Sequence, residues 1–163
     1  MNPIEEYKML FERMYELCKE NGWGDPFSYA RSREIHMAGQ LGHTISDTLS
    51  GADGIDDDGK CEYKSTINKN INGTYNGISV QPSWEKQVTY LTEEKIANYT
   101  NHYIARYNGG KIEEIFRLNG NDVLDILLPK IKKKYPNIRS KKDPRLGANL
   151  TKKEIYNYGE KVL

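Results

Sequence analysis

Apolar residues recur every three or four positions through the first twenty residues. Ile4, Tyr7, Leu10, Phe11, Met14, Leu17 and Cys18 share one side, and charged residues fill the other. The spacing predicts an amphipathic helix over 4–20, ended by Asn21-Gly22. A second helix is expected over 26–41, with Asp25 as its N-cap and Pro26 in its first position. Gly42 breaks the pattern. The next stretch, HTISDTLSGADGIDDDGKCEYKSTIN, reads as short strands joined by a tight turn at Asp57-Asp58-Gly59-Lys60. Residues 68–83, rich in Asn, Gly, Ser and Thr, read as a loop. A short helix is expected over 93–99, and a hairpin in NHYIARYNGGKIEEIFRL that turns at Asn108-Gly109-Gly110. Asn121 or Asp122 should cap a helix carrying Val123, Ile126, Leu127 and Ile131, with Pro129 placed to kink it. From residue 139 on the chain reads as basic and irregular, with one strand near Asn149. Helices followed by strands with helices between them, and no internal repeat, predict an α/β (α+β) class. The expected architecture is a mixed β-sheet flanked by helices in a single domain over 1–163.

Composition agrees with a packed domain: of 163 residues 37% are hydrophobic and 29% charged. No apolar run approaches the ~20 residues that span a bilayer. The start, MNPIEEYKML, lacks the basic-then-apolar order of a signal peptide. The expectation is a cytoplasmic protein whose two cysteines, Cys18 and Cys61, are reduced thiols. The net charge of +1 hides an asymmetry. Residues 130–161 hold 11 Lys or Arg against 3 Asp or Glu, a charge of +8, so the rest of the chain carries −7. A basic C-terminal fifth beside an acidic centre suggests a polyanion partner and a separate cation site, although charge alone favours a merely solvated lysine-rich terminus.

The candidate chemistry sits in Gly51-Ala52-Asp53 and, nine residues beyond Asp53, Glu62-Tyr63-Lys64. Residues two apart on a strand share a face, so Glu62 and Lys64 project side by side, and the intervening turn returns Asp53 to the same place. Two carboxylates and an ammonium meeting at a sheet edge suit phosphodiester hydrolysis. The carboxylates can hold Mg²⁺, a hard ion that takes oxygen ligands. The metal polarises the phosphoryl group, and the lysine orients water and offsets charge on the phosphate. An EF-hand reading of Asp56-Asp57-Asp58-Gly59 fails. With Gly59 as the invariant glycine, the first and last ligand positions fall on Gly54 and Ser65. Asp57 and Asp58 read as a polar turn, with Asp56 a candidate supporting residue near the metal. Glu34 on the second helix could approach the metal but is more often salt-bridged. His36, His43 and His102 share no ligand spacing and read as structural.

These residues match the PD-(D/E)xK nuclease signature, and the chain resembles the type II restriction endonucleases. The likeness begins at SGADGIDDDGKCEYKSTIN, resumes at IARYNGGKIEEIFRL and continues loosely through KDPRLGANLTKKEIYNYG. It covers roughly the last two-thirds of the chain, with a gap over 69–92, and the N-terminal helices match only in kind. The resemblance implies Asp53, Glu62 and Lys64 as catalytic residues, with Asp53 and Glu62 holding Mg²⁺ and Mn²⁺ as a substitute. It also implies a homodimer that cuts double-stranded DNA at a short palindrome. On that reading residues 1–41 contribute to dimerisation, 42–120 form the catalytic core, and 121–163 are a basic DNA-contacting part. The histidine run found in the recognition loop of a restriction enzyme of this kind is missing, since residues 66–92 contain no histidine. The target sequence therefore does not carry over. Candidate DNA contacts are Asn76 and Gln81, which have adenine-reading side chains, together with Lys141, Lys142, Arg145 and Asn149 near the C-terminus. Arg145 suits guanine and the lysines suit phosphates. Two alternatives stay open: a repair, nicking or structure-specific nuclease on the same fold, and a non-catalytic DNA-binding module.

Overall fold

A computed structural model describes residues 2–47, 51–138 and 144–163. The first helix, α1 (Pro3–Asn21), starts where its sequence dictates. The Asn2 side chain accepts from the Ile4 and Glu5 backbone amides at 2.9 and 3.0 Å, Glu5 accepts in return from the Asn2 amide, and Pro3 opens the first turn. Gly22, in the left-handed region at φ 69°, closes it. The second helix, α2 (Arg31–Leu41), begins five residues later than expected. Asp25 does cap, but it caps a turn: its carboxylate accepts from the Phe27 amide at 3.0 Å and the Ser28 hydroxyl at 2.7 Å. Tyr29 then takes a φ of 52°, which no helix continues through.

Six strands form the main sheet: β1 (Thr44–Ile45), β2 (Gly54–Asp56), β3 (Gly59–Thr66), β5 (Asn101–Asn108), β6 (Lys111–Asn119) and β8 (Glu160–Lys161), in the order β1-β2-β3-β5-β6-β8. The β2–β3 and β5–β6 hairpins stand where the turn residues place them. Between them β3 and β5 run parallel, pairing Glu62 with His102 and Lys64 with Ile104, so the sheet is mixed. The expected α+β class and mixed sheet are what the chain adopts, in a single domain.

Two expectations fail between the hairpins. Residues 68–83 are not a loop: they contain β4 (Gly73–Ser79), which pairs antiparallel with β7 (Arg145–Leu150) as a separate two-stranded ribbon. The strand expected near Asn149 is β7, whereas β4 reads as a loop because its segment is rich in Gly and Asn, and pairing across some seventy residues makes it a strand. The short helix also lies earlier, as α3 (Trp84–Tyr90) capped by the Ser83 hydroxyl, and it runs into a π-helical turn over Leu91–Lys95. The helix α4 (Gly120–Ile138) runs through Pro129 and Pro136, and its first turn is held by Asn119, whose side chain accepts from the Asn121 amide at 2.9 Å. A last helix, α5 (Lys152–Tyr158), starts on a Thr151–Glu154 capping box.

The core lies on both sides of the main sheet. On one side Met37, Ala38 and Ile45 pack against Cys61, Tyr63, Tyr103, Ala105, Tyr107 and Ile115. On the other, Ile104 and Leu118 meet the ribbon and α4, including Tyr75, Ile78, Val123, Leu127, Leu146 and Leu150. Alternation on β3 therefore sends Cys61 and Tyr63 to the α2 side and Glu62 and Lys64 to the ribbon side. Both cysteines are free and buried. No described helix is long and apolar enough to cross a membrane.

Candidate active site

Asp53 stands immediately before β2, held from both directions. Its amide donates to the Cys61 carbonyl at 3.1 Å and its carbonyl accepts from the Ser46 amide at 3.0 Å. Its carboxylate accepts from the Tyr63 amide at 2.9 Å, which aims it at the β3 face that carries Glu62 and Lys64. The close approach of β2 to β3 at this point needs Gly54. A Cβ there would overlap the Tyr63 hydroxyl and lie 2.7 Å from the ring carbon Cζ. The Tyr63 hydroxyl in turn bonds His43 Nδ1 at 3.0 Å, so the ring cannot swing away freely.

Asp53, Glu62 and Lys64 thus come together as the strand periodicity and the turn require. The Asp53 and Glu62 carboxyl groups adjoin each other, and the Lys64 ammonium donates to Glu62 Oε1. The site is enclosed: the side chains of Glu62 and Lys64 are 14% and 24% exposed. Burial raises both carboxyls above their ordinary range. For Glu62 the neighbouring Asp53 charge adds to the rise, and Lys64 opposes it in both. Burial alone would lower Lys64, but the Glu62 and Asp53 charges outweigh it and hold the ammonium above its ordinary value. Glu34 is salt-bridged, as the commoner expectation had it. It pairs at 3.2 Å with the buried Arg31, whose Nε donates to the Trp23 carbonyl at 2.6 Å and whose Nη2 donates to the Ser46 carbonyl. It also borders the site. Burial and the Asp53 charge raise its carboxyl.

Among the described residues no three His, Cys, Asp or Glu side chains converge as a ready-made metal site. Mg²⁺ does not require three, because it keeps several waters and is commonly held by one or two carboxylates. The donor set fits such an ion: two adjoining, enclosed carboxylates, with one ammonium donating to Glu62 beside them. A divalent charge would favour the ionised form of both carboxyls against the burial that raises them.

Asp56 is not a supporting residue near that position. It lies one strand position out of phase with Asp53 and faces the other side of the sheet. There its carboxylate accepts from Tyr103 Oη at 2.9 Å and from Asn101 Nδ2 at 2.8 Å. Burial works to raise Asp56, but these bonds prevail and hold it below its ordinary value. Asn101 also donates to Asp58 at 2.8 Å, so these aspartates brace a turn. His36 and His43 bond tyrosine hydroxyls and His102 is buried, all structural placements.

The candidate DNA contacts fall into three groups. Asn76, Arg145 and Asn149, from segments far apart in sequence, meet on the exposed face of the β4–β7 ribbon, where Thr74 pairs with Asn149 and Ser79 with Arg145. Asn76 sits in a bulge between Tyr75 and Ile78, its Oδ1 lying 2.6 Å from where a side chain on Gly147 would begin. Gln81 lies beyond the strand, half-buried, and its side-chain Nε2 donates to the Ser79 carbonyl at 3.4 Å. Lys141 and Lys142 lie outside the described residues. Two lysines of α4 cap carbonyls of β7: Lys130 donates to Asn149 at 2.7 Å and Lys134 to Gly147 at 2.6 Å.

Two residues that the sequence did not place beside the three candidates border the site, Tyr75 and His102. Tyr75, on the buried face of β4, holds the Lys64 ammonium over its ring, 5.1 Å from the centroid, and its hydroxyl bonds His102 Nδ1 at 2.8 Å. His102 Nε2 donates to the Ile96 carbonyl at 2.9 Å, which fixes Nδ1 as the acceptor for Tyr75. No local signal marks either residue, since both contacts depend on pairing between distant strands. No protein-family model matches the chain, and no curated protein is similar to it.

Proposed function

We propose that the chain is a Mg²⁺-dependent endonuclease of the PD-(D/E)xK type, which cuts double-stranded DNA at a short palindromic site as a homodimer. The observation that carries this reading is the meeting of Asp53, Glu62 and Lys64 on the same side of the sheet as an exposed β-ribbon. A two-stranded ribbon fits the major groove of B-DNA, and Asn76, Asn149 and Arg145 on it suit adenine and guanine edges.

Asp53 and Glu62 would hold the ion, which supplies Lewis-acid stabilisation of the phosphoryl oxygens. The Tyr63 amide keeps the Asp53 carboxylate turned into the site. Lys64 donates from Nζ, first to Glu62 and, with DNA in place, to the water or the phosphoryl oxygen on which negative charge builds. The enclosed carboxylates exclude bulk water, which strengthens each of these interactions.

The homodimer is supported by α1. Cys18 is its one buried residue, while Ile4 and Tyr7 are 81% and 70% exposed and Leu10, Phe11, Met14 and Leu17 continue the same stripe. A stripe of that length normally covers a partner, and two-fold pairing would match the symmetry of a palindrome.

The test is digestion of long duplex DNA with Mg²⁺ beside an EDTA control, followed by sequencing of the ends. Discrete fragments that share one palindrome are expected. Nicked circles or a junction preference would point to a different nuclease, and metal-independent binding without cleavage would overturn the catalytic reading.

A further inference from the structure

We propose that Tyr75 is a positioning residue that couples the DNA-reading ribbon to the catalytic lysine, so that DNA seated on the outer face of β4 sets the place of Lys64 through this side chain. The inference rests on the nuclease reading above and names how that same site is regulated by its substrate.

The two faces of β4 serve different neighbours. Thr74 and Asn76 point to solvent, and Tyr75 between them is buried. The ring carries the Lys64 ammonium on its face, 5.1 Å from the centroid. The hydroxyl is tied at 2.8 Å to His102, which stands opposite Glu62 in the parallel β3–β5 ladder and is itself anchored to Ile96. One end of Tyr75 is therefore fixed to the frame of the main sheet, and its face touches the catalytic lysine. Its backbone belongs to the ribbon, at the start of the bulge that holds Asn76 and Gly77. Gly77 takes a φ of 67° and has open space beside its Cα, so this bend is where β4 has room to adjust. A base or phosphate that draws on Asn76 acts on the neighbouring residue, and packed side chains pass such shifts on. Lys64 is consequently held by two partners of opposite kind, the Glu62 carboxylate and the Tyr75 ring. Losing the ring leaves the ammonium free to settle on the carboxylates alone.

The experiment compares Tyr75→Leu and Tyr75→Phe with the wild-type chain in Mg²⁺-dependent cleavage of plasmid DNA, with DNA binding measured in EDTA. Tyr75→Leu should lower kcat roughly 10- to 30-fold with KM and Kd changed by less than about threefold, the size expected for one desolvated cation–π contact. Tyr75→Phe keeps the ring and should recover most of that loss. Wild-type kcat in Tyr75→Leu, or a change confined to KM, would overturn the proposal. A second readout needs no activity. With lysines ¹³C-labelled at Cε, the Lys64 signal, identified by its loss in Lys64→Arg, should lie upfield from the ring current and move when a mixed-sequence duplex is added. It should return to the ordinary lysine position in Tyr75→Leu. If the wild-type chain cuts no DNA, the nuclease reading fails by itself, and the NMR result then decides the role of Tyr75. An ordinary Lys64 position, or one that does not respond to duplex, overturns it. Should Tyr75→Leu fail to fold, the wild-type titration decides alone.

Discussion

Lys64 is the residue whose surroundings most constrain what it can do. It donates to Glu62, lies over Tyr75 and is nearly enclosed. On the proposed function, Lys64→Ala removes a donor needed only where charge builds on the phosphate. Cleavage should fall by about 10²–10³-fold or more while DNA affinity is kept. Cleavage at the wild-type rate would sink that role. Gly54 is constrained sterically rather than chemically. Gly54→Ala drives a methyl into the buried Tyr63 ring, and urea titration should show a loss of about 1–3 kcal/mol. His102 gives a pH signature. Burial, aided by the Lys64 charge and resisted by the Ile96 bond, lowers it from 6.5 to about 4. The folded state thus prefers the neutral ring, and between those values the unfolded chain binds the extra proton. The contribution is complete above pH 6.5 and lost as pH falls through 4, about 3 kcal/mol in all. Stability measured from pH 7 to 4 should fall less steeply in His102→Gln, and identical slopes would count against it.

At the scale of elements, the β2–β3 hairpin and the β4–β7 ribbon differ in how they come to exist. The hairpin is local. Its turn residues, its alternation and Gly54 lie within fourteen positions, so Asp53, Glu62 and Lys64 could be placed on one face before any tertiary information. The ribbon is non-local. The sequence offers Asn76 and Asn149 as candidate DNA contacts but not as neighbours, because nothing in either segment specifies the other. If the ribbon reads DNA, Arg145→Ala should weaken duplex binding by about 1–3 kcal/mol and relax preference at one base pair, whereas a phosphate contact would weaken all sequences alike and reduce the salt slope by about one. Fluorescence anisotropy on duplex variants at two or more salt concentrations separates the two. Unchanged binding would remove Arg145 from the interface.

The whole molecule leaves α1 largely uncovered, and there the proposed dimer has its test. Sedimentation of the wild-type chain should give twice the monomer mass, 18.8 kDa per chain. Leu10→Glu, placing a charge on the exposed stripe, should return it to the monomer with its melting behaviour little changed, since Leu10 packs on no core cluster. A wild-type monomer would reject the dimer without touching the catalytic triplet. By itself the sequence determined the amphipathic α1 with its caps, the two hairpins and the convergence of the three catalytic candidates. Each depends on periodicity or on turn chemistry within a few residues. Only the tertiary structure decided that Asp56 faces away from Asp53, that α2 starts after Tyr29, that two Asn- and Gly-rich segments pair as a ribbon, and that Tyr75 and His102 stand beside Lys64. Those outcomes come from the parallel β3–β5 ladder and from burial shared between distant strands. Their energy resides in contacts between segments, and no single segment carries their pattern.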